Sequence, residues 1–362
     1  MFRALFAWVN KYERHLSAAA MVAGFVADNL FFGRVDLWQT QALFIAYAAT
    51  CFVSIPLLHW LEARGERTGY RPRWRGIVPL ATQFALGGFW SGFVVFYGRS
   101  AAVGASWPFL LVLLAIFLGN EILSRYHERL VFTAVLFFFA LYSYAIFAVP
   151  IYTHQMGAAT FLESGAVAVA LFGLFTVLLR LLGRERFRAD VFWIRAGALG
   201  VLLIINVCYF TNVLPPLPLA AKAAGVYHLV EHGVGGYTAE TEEAPPTLLS
   251  RYLGDTPTEH VAPGGTVYAY SSVFAPTALT TLIIHRWQWW DPKTGAWETR
   301  FALTYPIAGG ADGGYAGYSG IVPKVAGRWR VSVETADGRV IARLPFTLVF
   351  ASSTPALTTI QL

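Results

Sequence analysis

Charged residues are scarce in this chain: Asp, Glu, Lys and Arg account for 13% of its 362 residues, about half of the ~25% expected of a soluble domain. Cysteine is scarcer still, with only Cys51 and Cys208. Both lie in apolar stretches, so the polar C-terminal part of the chain must fold without disulfides. The lack of charge in the first 218 residues excludes an ordinary soluble domain there.

The residues between the few charges form long apolar stretches. About 18 or more apolar residues in a run can cross roughly 30 Å of hydrocarbon as a helix. The sequence therefore predicts a bundle of seven transmembrane helices. The predicted spans are Leu16–Gly33, Trp38–Leu61, Ile77–Tyr97, Ser106–Leu123, Leu130–Pro150, Thr160–Leu182 and Ala196–Leu217.

Basic residues predict the orientation of these helices, because loops rich in Lys and Arg stay on the cytoplasmic side. Loops on one side carry Arg34 and Arg99 alone. Fifteen basic residues fall on the other side: Arg3, Lys11, Arg14, Arg64, Arg67, Arg71, Arg73, Arg75, Arg125, Arg129, Arg180, Arg184, Arg186, Arg188 and Arg195. We therefore expect a multi-pass membrane protein with a cytoplasmic N-terminus and a C-terminal domain on the opposite side, which is the periplasm in a Gram-negative host. The net charge of +6 is explained by topology and the lipid bilayer, so we expect no nucleic-acid partner.

The C-terminal part is patterned as short strands. Five segments rich in Val, Ile, Thr and aromatic residues are Val267–Phe274, Leu279–Trp290, Trp297–Tyr305, Arg328–Thr335 and Val340–Phe350. Asp337-Gly338 and Asp291–Gly295 supply hairpin turns between them. We expect three parts: residues 1–218 as the seven-span bundle, 219–247 as a juxtamembrane helix (Ala220–Gly233) and linker, and 248–362 as an all-β, immunoglobulin-like sandwich.

Short motifs in this tail carry a family resemblance. They are His285-Arg286-Trp287, Tyr315-x-x-Tyr318-Ser319, Gly327–Val331 with Asp337-Gly338, and upstream Pro215–Leu219 with Gly225–His228. Together they resemble a C-terminal domain of bacterial envelope proteins known only as a domain of unknown function, which in some members follows a multi-span bundle. The resemblance implies an inner-membrane location and a β-sandwich tail. It brings no activity and no catalytic residues.

One segment matches a zinc-peptidase pattern. His228-Leu229-Val230-Glu231-His232 fits H-x-x-E-H, in which two histidines on one helical face bind zinc and the glutamate acts as a base. Gly233, Gly235 and Gly236 would end such a helix at once. We therefore expect ordinary polar residues there, with no metal, no cofactor and no catalytic residues.

Polar residues within the spans are the next candidates, since ionisable groups in a membrane are costly and often functional. Asp28, Glu121 and Glu163 lie near the ends of their spans. They form either a buried functional cluster or groups hydrated at the membrane interface. Gly88 and Gly92 form a small-residue face that allows close helix packing, either inside the bundle or between two copies.

Alternation within Leu279–Trp290 predicts two faces of one strand. Trp287 shares its parity with Ile283 and Trp289, so we expect it in the core. Arg286 and Trp290 then point outward and, with Tyr315 and Tyr318, form a candidate binding face of arginine and aromatic residues. The alternative is that both faces are core and cross-strand contacts.

These observations leave three functional hypotheses. In the first, the periplasmic domain binds another envelope protein or a glycan without catalysis, and the bundle anchors it. In the second, the bundle transports or senses a small ligand or ion. The third is a membrane-embedded transferase acting on a lipid-linked substrate, which would need a convergent acid, base and nucleophile that the sequence does not reveal.

Overall fold

The structure is a computed structural model that describes residues 33–69, 77–100, 103–122, 129–182, 184–233, 235–242, 256–352 and 355–362. The chain divides into two compact units, one helical and one rich in strands. Along the chain, the boundary after the last helix lies between Leu214 and Pro215.

The first unit contains six helices among the described residues. They are α1 (Trp38–Thr68), α2 (Ile77–Ser100), α3 (Val103–Ile122), α4 (Leu130–Thr153), α5 (Ala158–Leu182) and α6 (Arg184–Phe210). All except α3 are long and apolar enough to span a membrane, and α3 contains a shorter apolar stretch, Ser106–Gly119. These helices indicate a membrane protein. The first predicted span, Leu16–Gly33, lies outside the described residues except for Gly33, so the count of seven is not matched.

The last helix differs from its predicted bounds. Helix α6 begins at Arg184 and ends at Phe210, whereas the sequence predicted Ala196–Leu217. Its apolar span, Phe187–Phe210, includes two arginines that had been assigned to a loop, Arg188 and Arg195. Arginine is a good helix former with a long apolar stem, so charge alone marks the end of a helix poorly.

The two small residues on α2 pack inside the bundle. A methyl group on Gly92 would meet the Phe44 ring of α1 at 2.5 Å, and one on Gly88 would overlap the Tyr47 ring. Phe44 also stacks on Phe93, with ring centroids 5.6 Å apart. These contacts favour internal packing over dimerisation for the two glycines.

The second unit consists of strands. They are β1 (Ala220–Tyr227), β2 (Leu229–Gly233), β3 (Gly236–Thr241), β4 (Thr258–Val261), β5 (Val267–Phe274), β6 (Thr280–Asp291), β7 (Ala296–Ala308), β8 (Tyr315–Ile321), β9 (Gly327–Thr335), β10 (Val340–Phe350) and β11 (Thr358–Gln361). The first sheet has the order β1-β5-β8, the second β4-β10-β9-β6-β7 and the third β11-β3-β2. Only β4 and β10 pair in parallel among the described strand pairs.

The three sheets form layers, with the first sheet in the middle. Val267 and Ala269 of β5 join Trp287 and Phe346 of the second sheet in one buried core. The alternate residues of β5, including Tyr270, pack instead against Val230 and Ala239 of the third sheet, together with Ile360. A strand shows alternate side chains to opposite faces, so one middle sheet can bury both sides.

Five of the strands match the predicted segments closely, and the Asp337-Gly338 turn connects β9 to β10 as expected. Gly338 has the left-handed φ of 78° that glycine adopts easily. The prediction of a helix over Ala220–Gly233 was wrong, because this segment forms β1 and β2. Alanine favours helices locally, but pairing of β1 with β5 decides the conformation. The β-rich unit therefore begins at Pro215, well before residue 248.

Candidate functional site

The candidate binding surface is built by β6, whose alternation follows the prediction. Trp287 is fully buried, and its Nε1 donates a hydrogen bond to Ser319 Oγ at 2.9 Å. Arg286 and Trp290 have the opposite parity and are half-buried. The strand therefore presents Trp287 to the core and Arg286 and Trp290 to the other face of the second sheet.

Tryptophan and arginine side chains from three neighbouring strands meet on that face. Trp290 of β6 packs edge-to-face with Trp297 of β7, with ring centroids 5.4 Å apart. The guanidinium of Arg330 lies 4.2 Å from the Trp297 ring centroid, and that of Arg328 lies 5.6 Å from the centroid of Trp290. Arg330 also donates a hydrogen bond from Nε to Gln288 Oε1 at 2.7 Å. We call Gln288, Trp290, Trp297, Arg328 and Arg330 the arginine–tryptophan face.

The surroundings of this face are positively charged. Arg286 is neutralised by Glu334, with Nε and Oε2 2.8 Å apart. None of the ion pairs among the described residues involves Arg328, Arg330 or Arg343. Partial burial, followed by the like charge of Arg343, lowers the pKa of Arg330. The nearby acid Glu334, which is paired with Arg286, opposes this lowering only in part. The face therefore offers flat aromatic rings beside cations that form no ion pair among the described residues.

The other two predicted members of this surface lie elsewhere. Tyr315 and Tyr318 belong to β8 in the first sheet. Tyr318 contacts Tyr237 and Tyr268, with ring centroids 6.1 and 6.2 Å apart, on the side that faces the third sheet. A local sequence pattern does not reveal which sheet a strand joins. The prediction therefore grouped Tyr315 and Tyr318 with Trp290, although the fold places them in different sheets. Arg328 and Arg330 were not among the predicted residues of this surface, although the alternation of β9 places both on one side of the strand.

A second polar group in this unit is centred on the buried ring of His285. His285 Nε2 lies 2.8 Å from Ser271 Oγ, and His285 Nδ1 lies 2.9 Å from Ser319 Oγ. Ser271 Oγ lies in turn 2.8 Å from Tyr305 OH. Burial lowers the pKa of His285 from 6.5 to about 4 and raises that of Tyr305 to about 12. Both side chains are thus neutral at pH 7, and the group acts as a hydrogen-bonded part of the core.

The third polar group brings a histidine together with two carboxylates. His228 lies between β1 and β2, Glu242 follows β3, and Glu259 is in β4. His228 Nε2 lies 2.7 Å from Glu242 Oε1 and 3.2 Å from Glu259 Oε2. On the far side of Glu242, Oε2 lies 2.8 Å from the Nδ1 of His260. We call His228, Glu242, Glu259 and His260 the His–Glu cluster.

The histidines and carboxylates of the His–Glu cluster stabilise one another's charged forms. The hydrogen bond to Glu259 is the main cause that raises the pKa of His228, against the opposing effect of burial. Burial would raise the pKa of Glu242, but hydrogen bonds from His260 and His228 outweigh it and leave that pKa lowered. At neutral pH Glu242 is therefore ionised.

The zinc-peptidase motif is not assembled. His228, Glu231 and His232 lie on or beside the strand β2, where Glu231 and His232 are exposed. The His232 ring contacts Tyr237 at a centroid distance of 4.6 Å. Glu242 and Glu259 were missed because no local pattern connects residues that only the sheet pairing brings to His228.

Of the three polar candidates within the predicted spans, the structure describes one side chain, that of Glu163. Asp28 and the side chain of Glu121 lie outside the described residues, and Glu163 is exposed on α5. A cavity of about 610 Å³ instead lies beside the first turn of α4, lined by His59, Arg129, Asp190 and apolar side chains. His59 is only 2% exposed, and neither ring nitrogen has a hydrogen-bond partner among the described residues. Its Nδ1 lies 3.5 Å from Glu62 Oε2.

Comparison with known proteins identifies the tail alone. Residues 280–348 contain a domain of the family described as "Protein of unknown function (DUF2914)". No curated protein matches the chain. Among solved structures, the alkylpurine DNA glycosylase AlkC from Pseudomonas fluorescens, bound to DNA with an abasic-site analogue, matches at 9% identity. That match covers 85% of this chain and 96% of the glycosylase, with a TM-score of 0.20, too low to indicate a shared fold.

The DUF2914 domain includes the arginine–tryptophan face. Residues 280–348 run from the start of β6 almost to the end of β10, and all five residues of the face lie between them. His228, Glu242, Glu259 and His260 precede the matched range. The family description supplies no activity for either group.

Proposed function

We propose that the β-rich unit binds an acidic glycan of the bacterial envelope through the arginine–tryptophan face, and that the helical bundle anchors it in the inner membrane. Flat indole rings stack on sugar rings, and planar guanidinium groups bind carboxylates in a two-point manner. The face carries both kinds of group side by side. No catalytic step is part of this proposal.

The charge on the face is the observation that carries the proposal. Arg328, Arg330 and Arg343 take no part in the ion pairs among the described residues, and Arg330 and Arg343 repel each other. An anionic ligand would relieve this repulsion, whereas a neutral or basic ligand would gain nothing from it. Trp290 and Trp297 already pack against each other, so they offer rigid contact area at little entropic cost.

The proposal is tested with the intact protein in mild detergent and purified peptidoglycan sacculi as the probe. The wild-type protein should co-sediment with sacculi, less so as salt is raised. Trp290→Ala and the double variant Arg328→Gln/Arg330→Gln should each weaken binding at least ~10-fold, the effect of losing one binding hot spot of about 1.4 kcal/mol or more.

Matched controls come from the same unit. Tyr315→Ala removes an exposed aromatic side chain of the first sheet, and Lys324→Gln removes an exposed cation outside the face. Both should bind sacculi as the wild type does. Equal binding by the face variants and the controls would contradict the proposal. A defined protein that co-purifies in place of sacculi binding would favour a protein partner.

We further propose a periplasmic location and an immunoglobulin-like arrangement for the first and second sheets. The excess of basic residues in alternate loops supports the orientation. The single core that both sheets share supports a sandwich, to which the third sheet is an addition. A periplasm-specific reporter fused after Leu362 should be active, and the same reporter fused between Arg64 and Arg75 should be silent. The reverse pattern would place the tail in the cytoplasm.

The cavity beside α4 supports a second candidate function, the binding of a small charged ligand by the bundle. His59 is buried there without a hydrogen-bond partner among the described residues, next to Arg129 and Asp190. Native mass spectrometry of the intact protein should reveal a retained small molecule or lipid. His59→Leu and Arg129→Gln should lose it, whereas Glu163→Gln should keep it. Retention by all three variants would remove this candidate.

A further inference from the structure

We propose that His228, Glu242 and Glu259 form a binding site for a divalent transition-metal ion, with zinc as the best-fitting probe. The ligand atoms offered by the three residues all lie within 4.8 Å of one another. They come from three separate parts of the fold, the β1–β2 junction, the end of β3 and β4. One imidazole nitrogen and two carboxylate oxygens are ligands that zinc accepts in three-ligand sites with an open fourth position.

The two carboxylates converge on a single nitrogen of His228. The Nε2 of His228 carries at most one proton, yet it faces two carboxylate oxygens at 2.7 and 3.2 Å. The side chains of His228, Glu242 and Glu259 are only 8%, 10% and 6% exposed, so water screens the two acids weakly. A divalent cation in the middle would accept the nitrogen lone pair and neutralise both carboxylates.

His260 supplies the support that metal ligands normally have. Its Nδ1 lies 2.8 Å from Glu242 Oε2, and its backbone N–H also donates to the Glu242 carboxylate. Such outer contacts fix the orientation of a ligating carboxylate. The adjacent residue Glu259 is held in β4, which pairs in parallel with β10. The carboxylate of Glu242 and the backbone of Glu259 are therefore held in fixed positions.

The site would join separate layers of the β-rich unit. His228 and Glu242 flank strands of the third sheet, and Glu259 belongs to the second. A bound ion would cross-link the two sheets and stabilise the folded unit, because it binds a constellation that the unfolded chain lacks. The proposed role is thus structural, and it is independent of the arginine–tryptophan face.

The first test is metal content of the intact protein in detergent. The protein is stripped with a chelator, reloaded with zinc and dialysed, and zinc is measured by atomic emission. We expect one zinc per chain in the wild type and more than a ~10-fold loss of zinc affinity in His228→Ala and in the near-isosteric Glu259→Gln. His260→Ala should weaken zinc binding by roughly 10–100-fold, the usual effect of losing a residue that holds a metal ligand in place.

The controls are substitutions of the other two polar residues in the His228–His232 segment. Glu231→Gln and His232→Ala alter exposed residues of the same five-residue segment and should keep one zinc per chain. Zinc should also raise the thermal unfolding temperature of the wild type and of both controls, but not of Glu259→Gln. Absence of stoichiometric zinc in the wild type, undiminished zinc in Glu259→Gln, or loss of zinc in His232→Ala would each overturn the proposal.

Discussion

At the scale of single residues, the two tryptophans of β6 differ in what surrounds them. Trp287 is enclosed and hydrogen-bonded to Ser319, whereas Trp290 is half-buried against Trp297 and Arg328. We predict that Trp287→Ala costs about 3–5 kcal/mol of stability, the usual loss for a large buried aromatic. Trp290→Ala should cost much less. Urea unfolding of the β-rich unit in the purified protein, followed by near-ultraviolet circular dichroism, measures both. Equal losses would mean that both faces of β6 are core.

His285 makes stability depend on pH in a defined direction. Its pKa is about 4 in the folded state and 6.5 otherwise. Between these values His285 binds a proton in the unfolded chain but not in the folded chain. The contribution of His285 to the free energy of unfolding is therefore complete above about pH 6.5 and is lost as the pH falls toward 4. The pKa difference corresponds to roughly 3 kcal/mol.

The measurement is urea unfolding from pH 7 to pH 4, compared with His285→Gln. The variant lacks the titrating ring, so its stability should change less over this interval, even where it is less stable overall. Carboxylates contribute to both curves and cancel in the comparison. Parallel curves for the two proteins would show that His285 is not the source of the pH dependence.

At the scale of elements, the packing of α1 against α2 depends on a small residue. A methyl group on Gly92 would meet the Phe44 ring at 2.5 Å, while Gly98 on the same helix has open space around it. Gly92→Ala should destabilise the bundle by about 1–3 kcal/mol through overpacking. Gly98→Ala should be neutral or slightly stabilising, since alanine favours helices. Thermal unfolding in detergent separates the two. A wild-type dimer that Gly92→Ala converts to monomer would instead place this face between chains.

At the scale of the whole molecule, the β-rich unit begins earlier than the polar composition suggests. Strands β1, β2 and β3 precede residue 248, yet β1 pairs with β5 and β3 pairs with β11. We predict that Pro215–Leu362 folds as an isolated fragment and that residues 248–362 do not. Loss of β1–β3 exposes the tyrosine side of β5 and removes two cluster residues, His228 and Glu242.

Expression of both fragments tests this prediction. The longer one should give dispersed amide NMR signals and a cooperative unfolding transition, and the shorter one should give neither. A cooperative transition for residues 248–362 would mean that the third sheet and β1 are dispensable additions.

The sequence by itself determined that apolar helices precede a strand-rich part, and it located five of the described helices and the strands from β5 to β10 except β8, although it did not place the start of the strand-rich unit or the bounds of α6. Each follows from a local cause: an apolar run as long as a bilayer is thick, or an alternation of period two ended by a turn such as Asp337-Gly338. The inward position of Trp287 followed from the same alternation. These features depend on residues close together in the chain.

Only the tertiary structure decided the rest. Ala220–Gly233 became strands because β5 and β3 were available to pair with them. Tyr315 and Tyr318 were separated from Trp290 because β8 joined a different sheet. Glu242 and Glu259 reached His228 from positions 14 and 31 residues farther along the chain. Contacts of this kind arise from strand pairing between distant segments, whose free energy depends on partners that no local pattern encodes.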